Sequence, residues 1–108
     1  MTDIDRAIIN VLKTGKVLFG ANNAVKNGKI GKAKLIVVAA NCPSRVREDI
    51  EYYCKLSKVP VITYEGTGVD LARACRKPFL ISALTIRDAG ESDILRLAKN
   101  LKAEEADG

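Results

Sequence analysis

The chain has 108 residues, a length that fits one domain with a modest hydrophobic core. Apolar residues make up 47% of it and charged residues 29%, a balance that excludes a disordered chain and predicts a globular one. No apolar run approaches the length of a membrane span, and the first ten residues carry acids where a secretory signal carries bases, so we expect a cytoplasmic protein without membrane contact.

Hydrophobic spacing and breaker residues predict five helices that alternate with four strands. In chain order these are a helix over 3–14, a strand over 16–20, a helix over 21–29, a strand over 35–40, a helix within 41–57, a strand over 59–65, a short helix within 66–76, a strand over 79–87 and a last helix capped by Ser92. A glycine-lysine loop is predicted over 28–34. The strand over 35–40 is uniformly apolar, as expected of a strand that is buried on both faces.

Several finer expectations concern the helices. Asp3 is predicted to cap the first helix and Gly15 to end it, while Pro43 suits the first turn of the third helix. The apolar faces are predicted to be Ala21, Ala24 and Val25 in the second helix, Val46, Ile50, Tyr53, Cys54 and Leu56 in the third, and Ile94, Leu95, Leu97, Ala98 and Leu101 in the last.

Alternating helices and strands imply a central sheet covered on both faces. The sequence therefore predicts an α/β protein, a three-layer α/β/α sandwich with a central mixed four-stranded sheet. One domain is expected over 1–102, followed by a frayed acidic tail over 103–108.

The cysteines do not indicate a metal site or a redox site. The three of them, at 42, 54 and 75, form no C-x-x-C pair, and the chain has no histidine. We predict free thiols, with Cys54 and Cys75 acting as small core residues, and no metal or cofactor.

The net charge of +5 is unevenly distributed. Six lysines and no acid occur over 13–34, and three arginines with one lysine and no acid occur over 71–87. Such segregation indicates a polyanionic partner, although a solvated lysine-rich surface would look the same.

A small phosphate-handling enzyme is one function to consider. The chain contains neither a P-loop nor a G-x-G-x-x-G motif. Gly66-Thr67-Gly68 opens a helix and could hold an anion, and Cys42 precedes a helix start that would stabilise a thiolate. A cysteine phosphatase, however, has an arginine six places on, where this chain has Glu48, so catalysis is not expected.

An RNA interface is the stronger interpretation of the second helix start. Gly20 permits close approach of a nucleic-acid backbone, and the first helical amides favour anions. Asn22 and Asn23 can donate to and accept from base edges, while Lys26 and Lys29 follow at one-turn spacing. The alternative is that one of the asparagines merely caps the helix.

A second candidate element is the segment that contains Arg76, Lys77, Phe79 and Leu80. Exposed apolar side chains beside two cations could stack on an unpaired base, as is common in the recognition of RNA loops. The alternative is that Phe79 and Leu80 are the first core residues of the strand.

The residues also resemble a known family. The run GKAKLIVVAANCPSRVREDIEYYCKLSKVPVITYEGTGVDL is similar to the L-thirty-e family of large-subunit ribosomal proteins of archaea and eukaryotes. The marks are KLI-apolar-AAN-x-P, then IEYY-x-x-LS, the EGT-type loop and a D-x-G-x-S-x-I-L ending, in order over about residues 5–98. The compact length favours an archaeal member.

The resemblance implies a three-layer α/β/α fold and a non-catalytic rRNA-binding component of the large ribosomal subunit, monomeric away from the ribosome. The wider family recognises kink-turns, which are sharply bent RNA duplexes with a bulge and sheared G·A pairs. A kink-turn-binding component of a guide-RNA or RNA-modification particle is the related alternative.

The resemblance also implies site residues. Sister ribosomal and box C/D guide-RNA proteins carry Gly-x-Asn-Glu-x-x-Lys at this helix start, which matches Gly20, Asn22 and Lys26. Asn23 departs from the glutamate of that pattern, and an amide accepts hydrogen bonds more weakly than a carboxylate. Asn41 matches the AAN corner, and Phe79 matches an aromatic residue of an RNA-contacting loop.

Overall fold

The computed structural model describes residues 3–107 of the chain, and side chains over 3–100. Its nine elements alternate as predicted: α1 (Asp3–Thr14), β1 (Lys16–Phe19), α2 (Ala21–Ile30), β2 (Leu35–Ala39), α3 (Ser44–Ser57), β3 (Val61–Tyr64), α4 (Gly68–Cys75), β4 (Ala83–Asp88) and α5 (Ile94–Asp107).

The four strands form one mixed sheet in the order β1-β4-β2-β3. Strands β2 and β3 are parallel and are joined by α3, whereas β4 is antiparallel to both of its neighbours. As a result, β1, β2 and β3 end, and β4 begins, at the same end of the sheet. The starts of α2, α3 and α4 and the loop before β4 lie at this end, which we call the open end.

Helices cover both faces of the sheet, which confirms the three-layer prediction. All five residues of β2 are buried, and they alternate between the two hydrophobic clusters. Leu35, Val37 and Ala39 pack with α1, α4 and α5, while Ile36 and Val38 pack with α2 and α3. The uniformly apolar run is therefore explained by burial on both sides.

Two predicted boundaries were wrong. Helix α2 continues to Ile30, so the first residues of the predicted loop over 28–34 are helical, and the helix ends at Gly31 in the left-handed conformation with φ 67°. Strand β4 begins at Ala83 rather than at 79, because Ile81 donates its amide to the Gly68 carbonyl of the α4 start, 3.2 Å away. Phe79 and Leu80 consequently lie in a loop.

Other predictions failed in detail. Pro43 is the N-cap residue of α3 with an extended backbone, so the first turn begins at Ser44. Leu56 is 67% exposed because it lies on the outer side of α3, away from buried Ile50 and Cys54.

Helix α2 buries a different set of residues from the one expected. Its buried positions are Ala24, Asn27 and Gly28, while Ala21 and Val25 are only partly buried. Gly28 faces α3 so closely that an added Cβ would lie 2.9 Å from the Cys54 sulphur, so the helices approach through a glycine.

The last helix begins as predicted. The Ser92 hydroxyl accepts a hydrogen bond from the Ile94 amide at 3.2 Å and donates one to the Ala7 carbonyl at 2.7 Å, which ties α5 to α1. The helix extends to Asp107. The side chain of Leu101 and all of Gly108 lie outside the described residues. Among the helices described, none is long and apolar enough to cross a bilayer.

Candidate nucleic-acid interface

The predicted site residues come together at the open end of the sheet. Gly20 follows β1 and donates its amide to the Ala83 carbonyl at the start of β4, 2.9 Å away. Ala40, beside Asn41, donates to the Gly66 carbonyl at 2.8 Å. The strand ends thus place residues from opposite helix layers along one edge of the molecule.

The start of α2 is open to a ligand. Gly20, its N-cap residue, has φ 101° and ψ 157°, a conformation that is essentially restricted to glycine. An added Cβ there would meet no heavy atom within 4 Å, so no other described residue crowds Gly20. Gly20 has no side chain to accept from the first amides, and the first turn has no acid. The positive end of the helix dipole is therefore available to an anion.

The two asparagines of this helix start differ in their surroundings. Asn22 is exposed, whereas Asn23 is partly buried and its Nδ2 donates to the Phe19 carbonyl at 2.9 Å. That bond fixes which branch of the Asn23 amide is oxygen, and Oδ1 is left as the acceptor. The capping alternative is not what the structure has, because the N-cap is Gly20 and the Asn23 bond runs back to β1.

The lysines of α2 lie along one exposed stripe. Lys26 and Lys29 follow Asn22 along a groove between α2 and α3 that is also lined by Val25, Val46 and Asp49. The Lys29 Nζ lies 4.7 Å from the ring centroid of Tyr53, within range of a cation–π contact. Lys29 is consequently held against α3, whereas Lys26 projects without such a partner among the described residues.

The segment over 76–80 is an exposed loop rather than a strand. Phe79 is 47% exposed and Leu80 is 62% exposed, so neither is a core residue. Arg76 is the C-cap residue of α4 and has the left-handed conformation with φ 56°, which ends the helix before this loop. The basic and apolar side chains expected for stacking on an unpaired base are therefore presented to solvent.

The start of α4 is closed, in contrast with that of α2. Thr67 and Asp70 form a reciprocal capping box, in which the Asp70 carboxylate accepts from the Thr67 amide at 2.9 Å. The Asn41 Oδ1 accepts from the Gly68 amide at 2.9 Å. Asn41 thus holds two loops of the open end together, a role that the sequence did not indicate.

These contacts argue against the phosphate-handling enzyme. A carboxylate of the chain already occupies the place in front of Gly66-Thr67-Gly68 where an anion would bind. Cys42 is buried, and burial raises the pKa of its thiol despite the nearby Arg47. Neither proposed centre has the electrostatics that the reaction needs.

Sequence analysis missed one residue of this surface. Phe19 ends β1, and its ring meets that of Phe79 edge to face, with centroids 5.8 Å apart and planes at 79°. The Lys77 Nζ lies 5.5 Å from the Phe19 ring centroid. The apolar run that ends at Gly20 indicated a strand and nothing more. Contact between Phe19 and Phe79, which are sixty positions apart in the sequence, has no local signal.

The fold and this surface define a class: a three-layer α/β/α protein with amides, lysines and an aromatic loop gathered at one end of its sheet. The chain belongs to the ribosomal protein L7Ae/L30e/S12e/Gadd45 family, whose pattern it matches over residues 2–96. This membership confirms the resemblance.

Individual relatives narrow the comparison. The chain is 43% identical to the large ribosomal subunit protein eL30 of Methanopyrus kandleri over 98% of this chain and 97% of that one. It is 50% identical to the protein of the same name from Methanothermobacter thermautotrophicus, over 88% of this chain and 97% of that one. The Saccharolobus solfataricus protein of that name is 47% identical over 83% of each chain.

Proposed function

We propose that this protein is a structural, non-catalytic component of the large ribosomal subunit and that it binds rRNA through the open end of its sheet. The observation that carries the proposal is the uncapped start of α2 with Asn22 and Lys26 on its exposed face. Membership of the ribosomal family and similarity to archaeal proteins named for the large subunit support it.

The RNA that this surface suits best is a kink-turn. A bent duplex with sheared G·A pairs exposes purine edges in a widened groove, and the start of a helix can enter there. Asn22 bonds a purine edge, and the Asn23 Oδ1 accepts from a guanine amino group, which is the role of the sister proteins' glutamate. Lys26 and Lys29 bind the flanking phosphates.

The loop between α4 and β4 supplies the second contact with the RNA. Phe79 and Leu80 pack on the base that the bend extrudes, while Arg76 and Lys77 lie toward the backbone. The Asn41 Nδ2, on the branch of the amide opposite its bond to Gly68, faces the same RNA. Binding selects the bent geometry and so fixes a local rRNA conformation. The protein is a monomer away from the ribosome and is located with cytoplasmic ribosomes.

The proposal is tested by titrating the protein into a kink-turn RNA and into a straight duplex of the same length without the bulge. We expect tighter binding to the kink-turn at moderate salt, because only the bent RNA presents unpaired purine edges to Asn22. Equal affinity for the two RNAs would remove the kink-turn claim while leaving a general RNA-binding role in place.

The Asn22→Ala variant addresses base recognition separately. Each good amide-to-base pair is worth about 1–3 kcal/mol of discrimination, so the preference for the kink-turn should fall by about 5- to 150-fold. Asn100→Ala, a change of the same type on α5, is the control. Co-sedimentation of the tagged protein with large subunits distinguishes the ribosomal role from one in a guide-RNA particle.

A further inference from the structure

The two proposed RNA-binding elements belong to different layers of the sandwich. Helix α2 lies over one face of the sheet with α3, and α4, which leads into the aromatic loop, packs on the other face with α1 and α5. Their relative position across the end of β1 therefore determines how well they can contact one RNA together.

Phe19 contacts both elements. Its carbonyl accepts the Asn23 Nδ2 at 2.9 Å, and so binds the first turn of α2. Its ring packs at the rim of the cluster on the opposite face, where it meets the Phe79 ring edge to face and the Lys77 ammonium. We infer that Phe19 is a positioning residue that aligns the start of α2 with the Phe79 loop for binding of one RNA.

The inference explains the asparagine at position 23. An amide can donate to the Phe19 carbonyl through Nδ2 and still offer Oδ1 to RNA, whereas an ionised glutamate only accepts. In this chain the position therefore combines alignment of the site with recognition.

Preorganisation is the physical basis of the expected effect. A loop that is already held in its bound arrangement loses less conformational freedom when RNA binds. Phe79 is 47% exposed, and the edge-to-face contact with Phe19 restrains its ring from one side. Loss of one aromatic pair of this type corresponds to a loss of about 3- to 10-fold in affinity.

The inference rests on the proposed function, and a double-mutant cycle separates the two. Kink-turn RNA affinities are measured for wild type, Phe19→Leu, Phe79→Ala and the double variant. We expect Phe19→Leu to weaken binding about 3- to 10-fold and the double variant to bind as Phe79→Ala does, because Phe19 acts through Phe79. Phe19→Tyr keeps the aromatic ring and should bind the RNA as tightly as the wild type does.

Val17→Ala is the matched control, since Val17 lies two residues earlier on the same face of β1 and packs on the same cluster. Additive losses in the cycle, or an equal loss in Val17→Ala, would overturn the positioning role while RNA binding by the wild type stands. If the wild type does not bind RNA, the proposed function fails, and the cycle is not needed to show it.

A measurement on the free protein tests the alignment without RNA. The chain has only two phenylalanines, so selective ring labelling yields two sets of NMR signals. We expect the Phe79 ring signals to move to positions typical of a solvated ring in Phe19→Leu and to stay in place in Val17→Ala. Unchanged Phe79 signals in Phe19→Leu would contradict the inference.

Discussion

The starts of α2 and α4 lie at the same end of the sheet, and they treat their unpaired amides in opposite ways. At α4 the chain supplies the partners itself, through Thr67, Asp70 and the Asn41 side chain. At α2 the cap residue is Gly20, which has no side chain, and the first turn contains no carboxylate that could accept from the unpaired amides. The comparison teaches that a helix start is a binding site only where the chain has left it open, and that a glycine before a helix is not sufficient evidence.

The largest effect is expected from adding a side chain at Gly20, the cap residue of the open start. Gly20→Ala places a Cβ in free space, yet the backbone conformation, φ 101°, excludes ordinary side chains. We expect the free energy of unfolding to fall by about 1–3 kcal/mol from backbone strain alone. Urea denaturation measures it, with Gly31→Ala as a control in the milder left-handed region. Equal losses in the two variants would show that Gly20 is not specially strained.

Substitution at the closed start of α4 should lower the free energy of unfolding and leave RNA affinity unchanged. Thr67→Ala removes the capping side chain of α4, and we expect about 0.5–2 kcal/mol of destabilisation in urea with RNA affinity unchanged below the unfolding transition. Ser44→Ala, at the first residue of α3 but not at its cap, should have little effect on either quantity. A fall in RNA affinity for Thr67→Ala would place α4 within the RNA interface and erase the contrast.

Charge on the open start is tested through salt dependence. Lys26→Ala removes one phosphate contact, so the slope of log affinity against log salt should become shallower by about 0.7–0.9. Lys55→Ala, in the last turn of α3, removes the same charge away from the open end and should leave the slope as it is. Identical slopes for wild type and Lys26→Ala would exclude a phosphate contact at this position.

The smallest expected effect is the pH dependence of the closed start. Hydrogen bonds from Thr67 hold the pKa of Asp70 below its usual value. A lowered pKa in the folded state means that this stabilisation is present above about pH 4 and is lost as the pH falls through the folded-state pKa. Melting temperatures between pH 6 and 2 should therefore fall less steeply for Asp70→Ala than for wild type.

Asp49→Ala, which removes an exposed acid of α3, is the control for that comparison and should follow the wild-type curve. If Asp70→Ala and Asp49→Ala both follow the wild-type curve, the capping box makes no pH-dependent contribution to stability.

The sequence alone determined the element order and the family. Breaker residues and hydrophobic spacing are local signals, which is why α1, β2 and the Ser92 cap were predicted correctly. The predicted end of α2 was wrong because the helix stops at Gly31, its left-handed C-cap residue, and not before it. The predicted start of β4 was wrong because the Ile81 amide bonds to the start of α4 rather than to the sheet.

Only the tertiary structure decided how the site is built. The local sequence contains two glycine-containing helix starts, at Gly20 and at Gly66-Thr67-Gly68. It does not indicate at which of them the chain's own side chains bind the unpaired amides. The answer depends on Asn41 reaching Gly68 and on Phe19 meeting Phe79, contacts between residues 27 and 60 positions apart. Such contacts form because antiparallel pairing of β1 with β4 and parallel pairing of β2 with β3 bring distant strand ends to one edge.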